Sequence, residues 1–275
     1  IGLKLKQKHA IKWVADFRDP WTQIGYHKKL KLSYFAQKIH KKLETTVLQT
    51  ADEIVVTSLK TKTIFSELTT TPITVLTNGF DFEIINDSTL DSKFTVSHIG
   101  SLLEGRNPYI LWKVLSDLIK DSDEFASVFQ LNFIGSVSTG VMDAIRIYGL
   151  ENYINNIGYV PHNEALEYQK KTQLLLLIEE NSKETEYIIP GKLFEYMASK
   201  RPIIAIGPEV SDIEKILNQT RSGTYFRYDE AVALRTLLLE HFDAYQTQQL
   251  NVDSKGLEAY SRKSLTQQLA QKLLD

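Results

Sequence analysis

Along most of this chain, short apolar runs with a strand-like pattern alternate with longer stretches of helical period. The runs IKWVADF (11–17), DEIVVTS (52–58) and ITVLTNG (73–79) read as strands. So do FTVSHIG from Phe94, FQLNFIG from Phe129, INNIGYV from Ile154, QLLLLIE from Gln173, PIIAIG from Pro202 and SGTYFRY from Ser222. Helical spacing of apolar residues marks 28–49 and 58–68. It marks further helices starting near Asn107, Thr139, Asn163, Pro190 and Ser211, then DEAVALRTLLLEHF and a last helix over 260–275.

From Phe94 onward the order is strand, short loop, amphipathic helix, strand. That grammar predicts an α/β fold with a doubly wound parallel sheet and helices on both faces. The first 90 residues hold only three strands and two helices, too little to bury a good independent core. They read as the back half of a Rossmann-like domain whose front half is absent. The expected division is a partial N-terminal domain with its hinge over 1–90, a C-terminal domain over 91–257, and a closing helix over 258–275. The polar, turn-prone FDFEIINDSTLDS after Asn78-Gly79 suits the linker.

Composition narrows the classes. The chain is 43% apolar and 24% charged over 275 residues, ordinary for a folded soluble protein. Its longest apolar run, Leu174–Ile178, is far too short to span a bilayer. No signal peptide is visible; the chain opens on Ile1, so the native start is expected upstream. With 0 Cys, disulfides, thiolate catalysis and Cys-based zinc sites are excluded, and a cytoplasmic location is the default expectation. Charge is uneven: residues 1–43 carry +9 of a net −2, leaving −11 on the rest. Within YHKKLKLSYFAQKIHKKLE, Lys28, Lys29, Lys31, Lys38, Lys41 and Lys42 accompany Leu30, Tyr34, Ile39 and Leu43. Such a helix is either a solvated face or a surface for anionic lipid, at about 1 kcal/mol per lysine. No aromatic-interleaved patch or reading motif points to nucleic acid.

The candidate chemistry lies where strands end, which is where open α/β sheets bind ligands. PGKLFEYMASKRP (190–202) opens a helix with Lys192 and Glu195 before an apolar strand. GSLLEGRNP (100–108) places Gly100, Ser101, Gly105 and Arg106 ahead of another helix, read either as a flexible loop with a surface arginine or as a loop able to hold a diphosphate. Gly135 and Val160 close two further strands. Asp16, Arg18 and Asp19 end the first strand, read either as a local ion-pair cluster or as groups facing an acceptor. Asp121-Ser122-Asp123 copies a metal-binding Asp-x-Asp but sits after a helix, so it reads as a solvated turn. The six histidines show no metal-ligand spacing, and no metal or other cofactor is expected. His98 reads as a packed core histidine, and Trp13 and Trp21 as packing residues.

GSLLEGRNP, IGYVPHNE and PGKLFEYMASKRP, in that order and spacing, resemble the C-terminal domain of family-4 glycosyltransferases of the GT-B fold. WVADFRDPW, TNGFD and YSRKSLTQQLAQKLL resemble segments of the first domain, the hinge and the closing helix in bacterial polysaccharide-assembly members. The resemblance implies a sugar moved from a nucleotide-diphosphate donor to a hydroxyl of a polysaccharide or lipid-linked acceptor, with retention. Arg106 and Lys192 would neutralise the diphosphate. Glu195 would take the ribose hydroxyls, the backbone near Gly135 and Val160 would border the base, and the Ile189 and Gly191 amides would hold the donor sugar. Asp19 would position or deprotonate the acceptor hydroxyl. Tyr187 stands where the family has the first glutamate of its Glu-x7-Glu motif, with Glu186 one position out of register. The basic helix would then meet the inner membrane face. Two other readings share these residues: a nucleotide-sugar epimerase of GT-B fold, and a truncated, non-catalytic nucleotide-sugar-binding remnant.

Overall fold

The computed structural model describes residues 1–25, 27, 30–81, 89–183 and 185–274. They form two compact units. The first comprises Ile1–Asp81, Ser182–Gly191 and the described residues of 258–275; the second comprises the described residues of 82–181 and Lys192–Leu257.

The first unit holds a parallel sheet of three strands, β1 (Val14–Phe17), β2 (Glu53–Val56) and β3 (Ile73–Val75), in that spatial order. Its helices are α1 (Gly2–His9), α2 (Tyr34–Thr50), α3 (Leu59–Ser66) and, further along the chain, a closing helix over Arg262–Leu274. The core is small: Ala15, Leu48, Ala51, Ile54, Val56 and Phe65, with Trp13 and Phe17 packed on it. The closing helix is tied to this unit by Arg262 N–H donating to the Phe80 carbonyl (2.7 Å) and by Lys12 Nζ donating to the Lys272 carbonyl (2.8 Å).

Two elements here differ from the expectation. The basic helix was expected from Lys28 but α2 begins at Tyr34, because the Ser33 hydroxyl caps it by accepting from Ala36 N–H (3.3 Å) and Lys31 takes a left-handed φ of 48°. Lys28, Lys29 and residues 82–88 of the expected linker lie outside the described residues. The periodicity also gave no sign of α1, which buries none of its residues and so carries no apolar stripe.

The second unit is built on a six-stranded parallel sheet of order β6-β5-β4-β7-β8-β9. The strands are β4 (Phe94–Ile99), β5 (Phe129–Ile134), β6 (Ile154–Gly158), β7 (Leu174–Ile178), β8 (Ile203–Gly207) and β9 (Gly223–Arg227). Every residue of β4, β7 and β8 is buried, as both-face coverage by helices requires. Those helices are α4 (Tyr109–Asp121), α5 (Asp123–Val128), α6 (Thr139–Ile147), α7 (His162–Lys171), α8 (Lys192–Ala198), α9 (Asp212–Thr220) and α10 (Ala231–Gln246), leaving the closing helix as α11. Phe94, Phe125 and Phe242 meet edge to face at 5.0–5.8 Å and anchor one side of the sheet. Asp121-Ser122-Asp123 is a junction between helices rather than a free turn. Ser122 caps α5 by accepting from Phe125 N–H (3.1 Å), and Asp121 pairs with Arg235 (3.0 Å).

The strand order places the reversal of winding between β4 and β7. Chain leaving β4 turns one way to β5 and chain leaving β7 turns the other way to β8, so a crevice opens beyond their carboxyl ends.

Candidate functional site

Around that crevice, close backbone approach shapes the floor. Gly100 ends β4 with φ 106° and donates its N–H to the Ile134 carbonyl (2.7 Å); Gly135 ends β5 with φ 129° and donates to the Gly158 carbonyl (2.7 Å). A Cβ on Gly135 would stand 2.5 Å from the Gly100 carbonyl oxygen, so only glycine lets these two turns stack. Leu102 N–H to the Ser136 carbonyl (2.8 Å) and Ser138 N–H to the Leu102 carbonyl (3.0 Å) carry the pairing outward, leaving Ser101 exposed.

Arg106 follows in a single turn of 3-10 helix, Glu104–Arg106. The next residue, Asn107, is buried: its side chain accepts from Trp112 Nε1 (2.7 Å) and donates to the Gly140 carbonyl (3.3 Å). That anchor fixes where the Arg106 turn sits. Among the described residues the Arg106 guanidinium has no hydrogen-bond or ion-pair partner, so its donors remain available to a ligand.

Lys192 and Glu195 come from α8, whose other side is fully buried through Leu193, Phe194, Tyr196 and Met197. Lys192 Nζ reaches back to β4, donating to the Ile99 carbonyl (2.8 Å) and lying 3.4 Å from His98 Nε2. Burial, then the nearby Arg106 charge, brings the Lys192 pKa down to about 7. The Arg106 charge acts on Lys192 more strongly than the Glu195 carboxylate does, so this strand end is a place that an anion would stabilise. Glu195 is held by α7: its Oε1 meets His162 Nε2 (2.9 Å) and its Oε2 accepts from Gln169 Nε2 (3.1 Å). Val160, half-buried, follows β6 just ahead of α7.

Three contributors escaped the sequence reading. Tyr196 is fully buried and its hydroxyl accepts from Ile99 N–H (2.8 Å), pinning α8 to the end of β4. Glu179 follows β7, where its Oε2 accepts from Tyr225 OH (2.7 Å) and Ser211 Oγ (2.8 Å). Burial lifts its pKa to about 7, with those two hydrogen bonds pulling the other way. His98 was read only as a core residue, yet its ring touches Lys192. Their partners lie 32 to 97 residues away, so no local motif announces them.

The remaining expected residues belong to the first unit. Ile189 is buried and Gly191 is exposed. Tyr187 is 5% exposed and its hydroxyl donates to the Gln23 carbonyl (2.5 Å), while Glu186 pairs with Lys60 (3.2 Å). Tyr187 is therefore a packing tyrosine. Asp16, Arg18 and Asp19 are exposed at the end of β1. Arg18 does not pair with the two aspartates; its guanidinium donates to Asn78 Oδ1. Asp16 and Arg18 line a cavity of about 220 Å³ with Thr77, Asn78 and Arg262. Trp13 packs on the core of this unit and Trp21 packs against His40, 5.9 Å between rings.

No protein-family model and no curated protein matches this sequence. Solved structures do. HepE of Anabaena, crystallised with UDP, superposes with a TM-score of 0.72 at 15% identity, covering 99% of this chain and 74% of that one. Sucrose-phosphate synthase from Thermosynechococcus elongatus gives 0.69 at 14%, covering 98% and 69%. WaaG, a glycosyltransferase involved in lipopolysaccharide biosynthesis, gives 0.61 at 12%, covering 96% and 79%. The chain thus has the α/β architecture of GT-B proteins, with two Rossmann-like parallel sheets.

Proposed function

We propose that this protein is a glycosyltransferase of the family-4 type, moving a sugar from a nucleotide-diphosphate donor to a hydroxyl of a polysaccharide or lipid-linked precursor with retention. The observation that carries it is the pair of basic groups, Lys192 and Arg106, at the winding reversal of the second sheet, with Glu195 three residues after Lys192 on α8. The structures that superpose include one holding UDP, which supports the nucleotide assignment.

In this reading the bond from the sugar's C1 to the diphosphate oxygen breaks, and negative charge collects on the leaving diphosphate. Lys192 and Arg106 stabilise that charge as it develops. Glu195 accepts from the ribose hydroxyls, exchanging His162 and Gln169 for them. The turns at Gly100, Ser101, Gly135 and Val160 border the nucleotide, and the Ile189 and Gly191 amides serve the donor sugar. In the first unit, Asp19 receives or orients the proton of the acceptor hydroxyl whose oxygen bonds to C1, with Asp16 and Arg18 beside it. No cofactor enters the proposal; the charge comes from the chain itself. The test is a panel of nucleotide sugars with and without hydroxyl acceptors, reading nucleoside diphosphate release. Release that rises with acceptor is expected. Binding without any release would favour a remnant, and acceptor-independent conversion of the sugar would favour an epimerase.

The proposal includes work in the cytoplasm at an anionic membrane face. Tyr34, Phe35, Ile39 and Leu43 of α2 are 48–76% exposed, alongside Lys31, Lys38, Lys41 and Lys42, all exposed. Apolar area for the acyl boundary and cations for the headgroups share one outward surface. Among the described residues no helix is long and apolar enough to cross a membrane. Sedimentation with vesicles containing phosphatidylserine is expected to pull the chain down at low salt. Phe35→Glu should abolish most of that binding, and retention by neutral vesicles alone would contradict it.

A further inference from the structure

His98 lies in the middle of the six-stranded sheet of the second unit, completely buried on β4 and one residue from its end. A buried imidazole has two nitrogens to satisfy; the Leu176 carbonyl and Lys192 Nζ lie against them, with the Ser101 backbone also beside the ring. Nδ1 lies 3.0 Å from the Leu176 carbonyl of the neighbouring strand β7. A carbonyl only accepts, so Nδ1 carries the hydrogen, and Nε2 is left as a bare lone pair. That lone pair faces Lys192 Nζ at 3.4 Å. Burial, with the adjacent Lys192 charge, holds His98 far below its ordinary pKa and keeps the imidazole in this neutral form.

The lysine ammonium has three hydrogens. One goes to the Ile99 carbonyl (2.8 Å) and one is turned toward His98 Nε2. The third has no partner among the described residues. The ammonium sits over Gly100, so close that a Cβ there would stand 3.1 Å from Nζ. An amine on a four-carbon stem would otherwise spend its freedom among many rotamers.

Resting on the diphosphate reading of this site, we infer that His98 is a positioning residue. Its Nε2 lone pair, aimed by the Leu176 carbonyl, and the Ile99 carbonyl together fix two hydrogens of Lys192 and point the third at the anion. The imidazole does not touch the ligand; it acts through the lysine. The device is spelled by residues 94 positions apart and by a tautomer that the β4–β7 pairing selects.

Inorganic pyrophosphate is the probe, since it reports the cation pair without any dependence on base or sugar. Its affinity is measured calorimetrically for the wild-type chain, His98→Phe and His98→Gln, with a thermal midpoint for each. Phe keeps a ring of similar size and removes the lone pair; Gln restores an acceptor at the same reach. Phe is expected to weaken pyrophosphate binding about tenfold, the scale of one hydrogen bond to a charged group, and Gln to recover most of it. Wild-type affinity in His98→Phe overturns the role. Equal loss in both variants also overturns it, because His98 would then supply packing rather than a lone pair. A wild-type chain that binds no pyrophosphate removes the diphosphate reading itself, a result separable from both.

Discussion

Lys192→Met is expected to cost about 100-fold in affinity for UDP or pyrophosphate, the scale of losing one partner from a buried, charge-assisted contact. Methionine keeps the length and the apolar stem, so α8 should stay packed through Leu193, Phe194, Tyr196 and Met197. The same variant isolates a proton. With its pKa brought to about 7, Lys192 is largely neutral in the empty site at pH 8, and a diphosphate draws a proton onto it. Binding to the wild-type chain should therefore take up close to one proton at pH 8 and weaken about tenfold per unit above that. Lys192→Met should show neither effect. Titration calorimetry in buffers of different ionisation enthalpy reads the proton count; uptake that survives in the variant would place the titrating group elsewhere.

Stability carries the matching sign. Lys192 is charged in the unfolded chain up to its ordinary 10.5 but gives up its proton near 7 when folded. Between those values the unfolded state binds more protons, so this group's contribution to stability improves as pH rises through the window. Below it, the folded chain bears the full cost of a buried ammonium. The variant is expected to be more stable than wild type at pH 7 while binding far worse, the exchange of stability for function found where binding sites hold strained or buried charge.

Gly135→Ala should be strongly damaging to the second unit, because a backbone clash and a positive φ fall on the same residue. The new Cβ would sit 2.5 Å from the oxygen and 2.7 Å from the carbon of the Gly100 carbonyl, both backbone atoms that cannot rotate away, and φ at 129° is a region L-residues avoid. We expect a loss of about 2–4 kcal/mol in urea unfolding from clash and backbone strain together. Displacement of Gly100 also moves the seat of the Lys192 ammonium, so pyrophosphate affinity should fall with stability. Gly149→Ala is the contrast: φ is 71° but nothing lies within 4 Å of the added carbon. Its cost should stay near 1 kcal/mol, with binding intact. Similar losses in both variants would mean that backbone conformation alone, not the approach of the two turns, sets the requirement.

The strands were legible because a buried parallel strand must be apolar on both faces, and LLLLI at Leu174–Ile178 or IIAIG at Ile203–Gly207 has no other economical reading. All nine expected strands are present in the structure, and most helices begin within a few residues of where their apolar stripes start. Misjudged elements are those without such a stripe. The start of α2 was set by a serine cap and a left-handed lysine, and α1 buries nothing. Asp121-Ser122-Asp123 carried the right residues for a turn, but Ser122 spends its hydroxyl on the next helix.

For the site, the chain alone determined which residue types stand at strand ends: glycines at 100 and 135, Arg106, Lys192 and Glu195. Those follow from local spacing, since a strand, its loop and its helix are contiguous. Tertiary structure decided what those residues do to one another. It brought Lys192 onto the carbonyl of Ile99, gave His98 its tautomer, buried Glu179 against Tyr225 and Ser211, and spent Tyr187 on the Gln23 carbonyl. Hydrogen-bond partners and desolvation depend on distances across a sheet, between residues tens of positions apart. Periodicity records only which face a side chain is on, not what waits there.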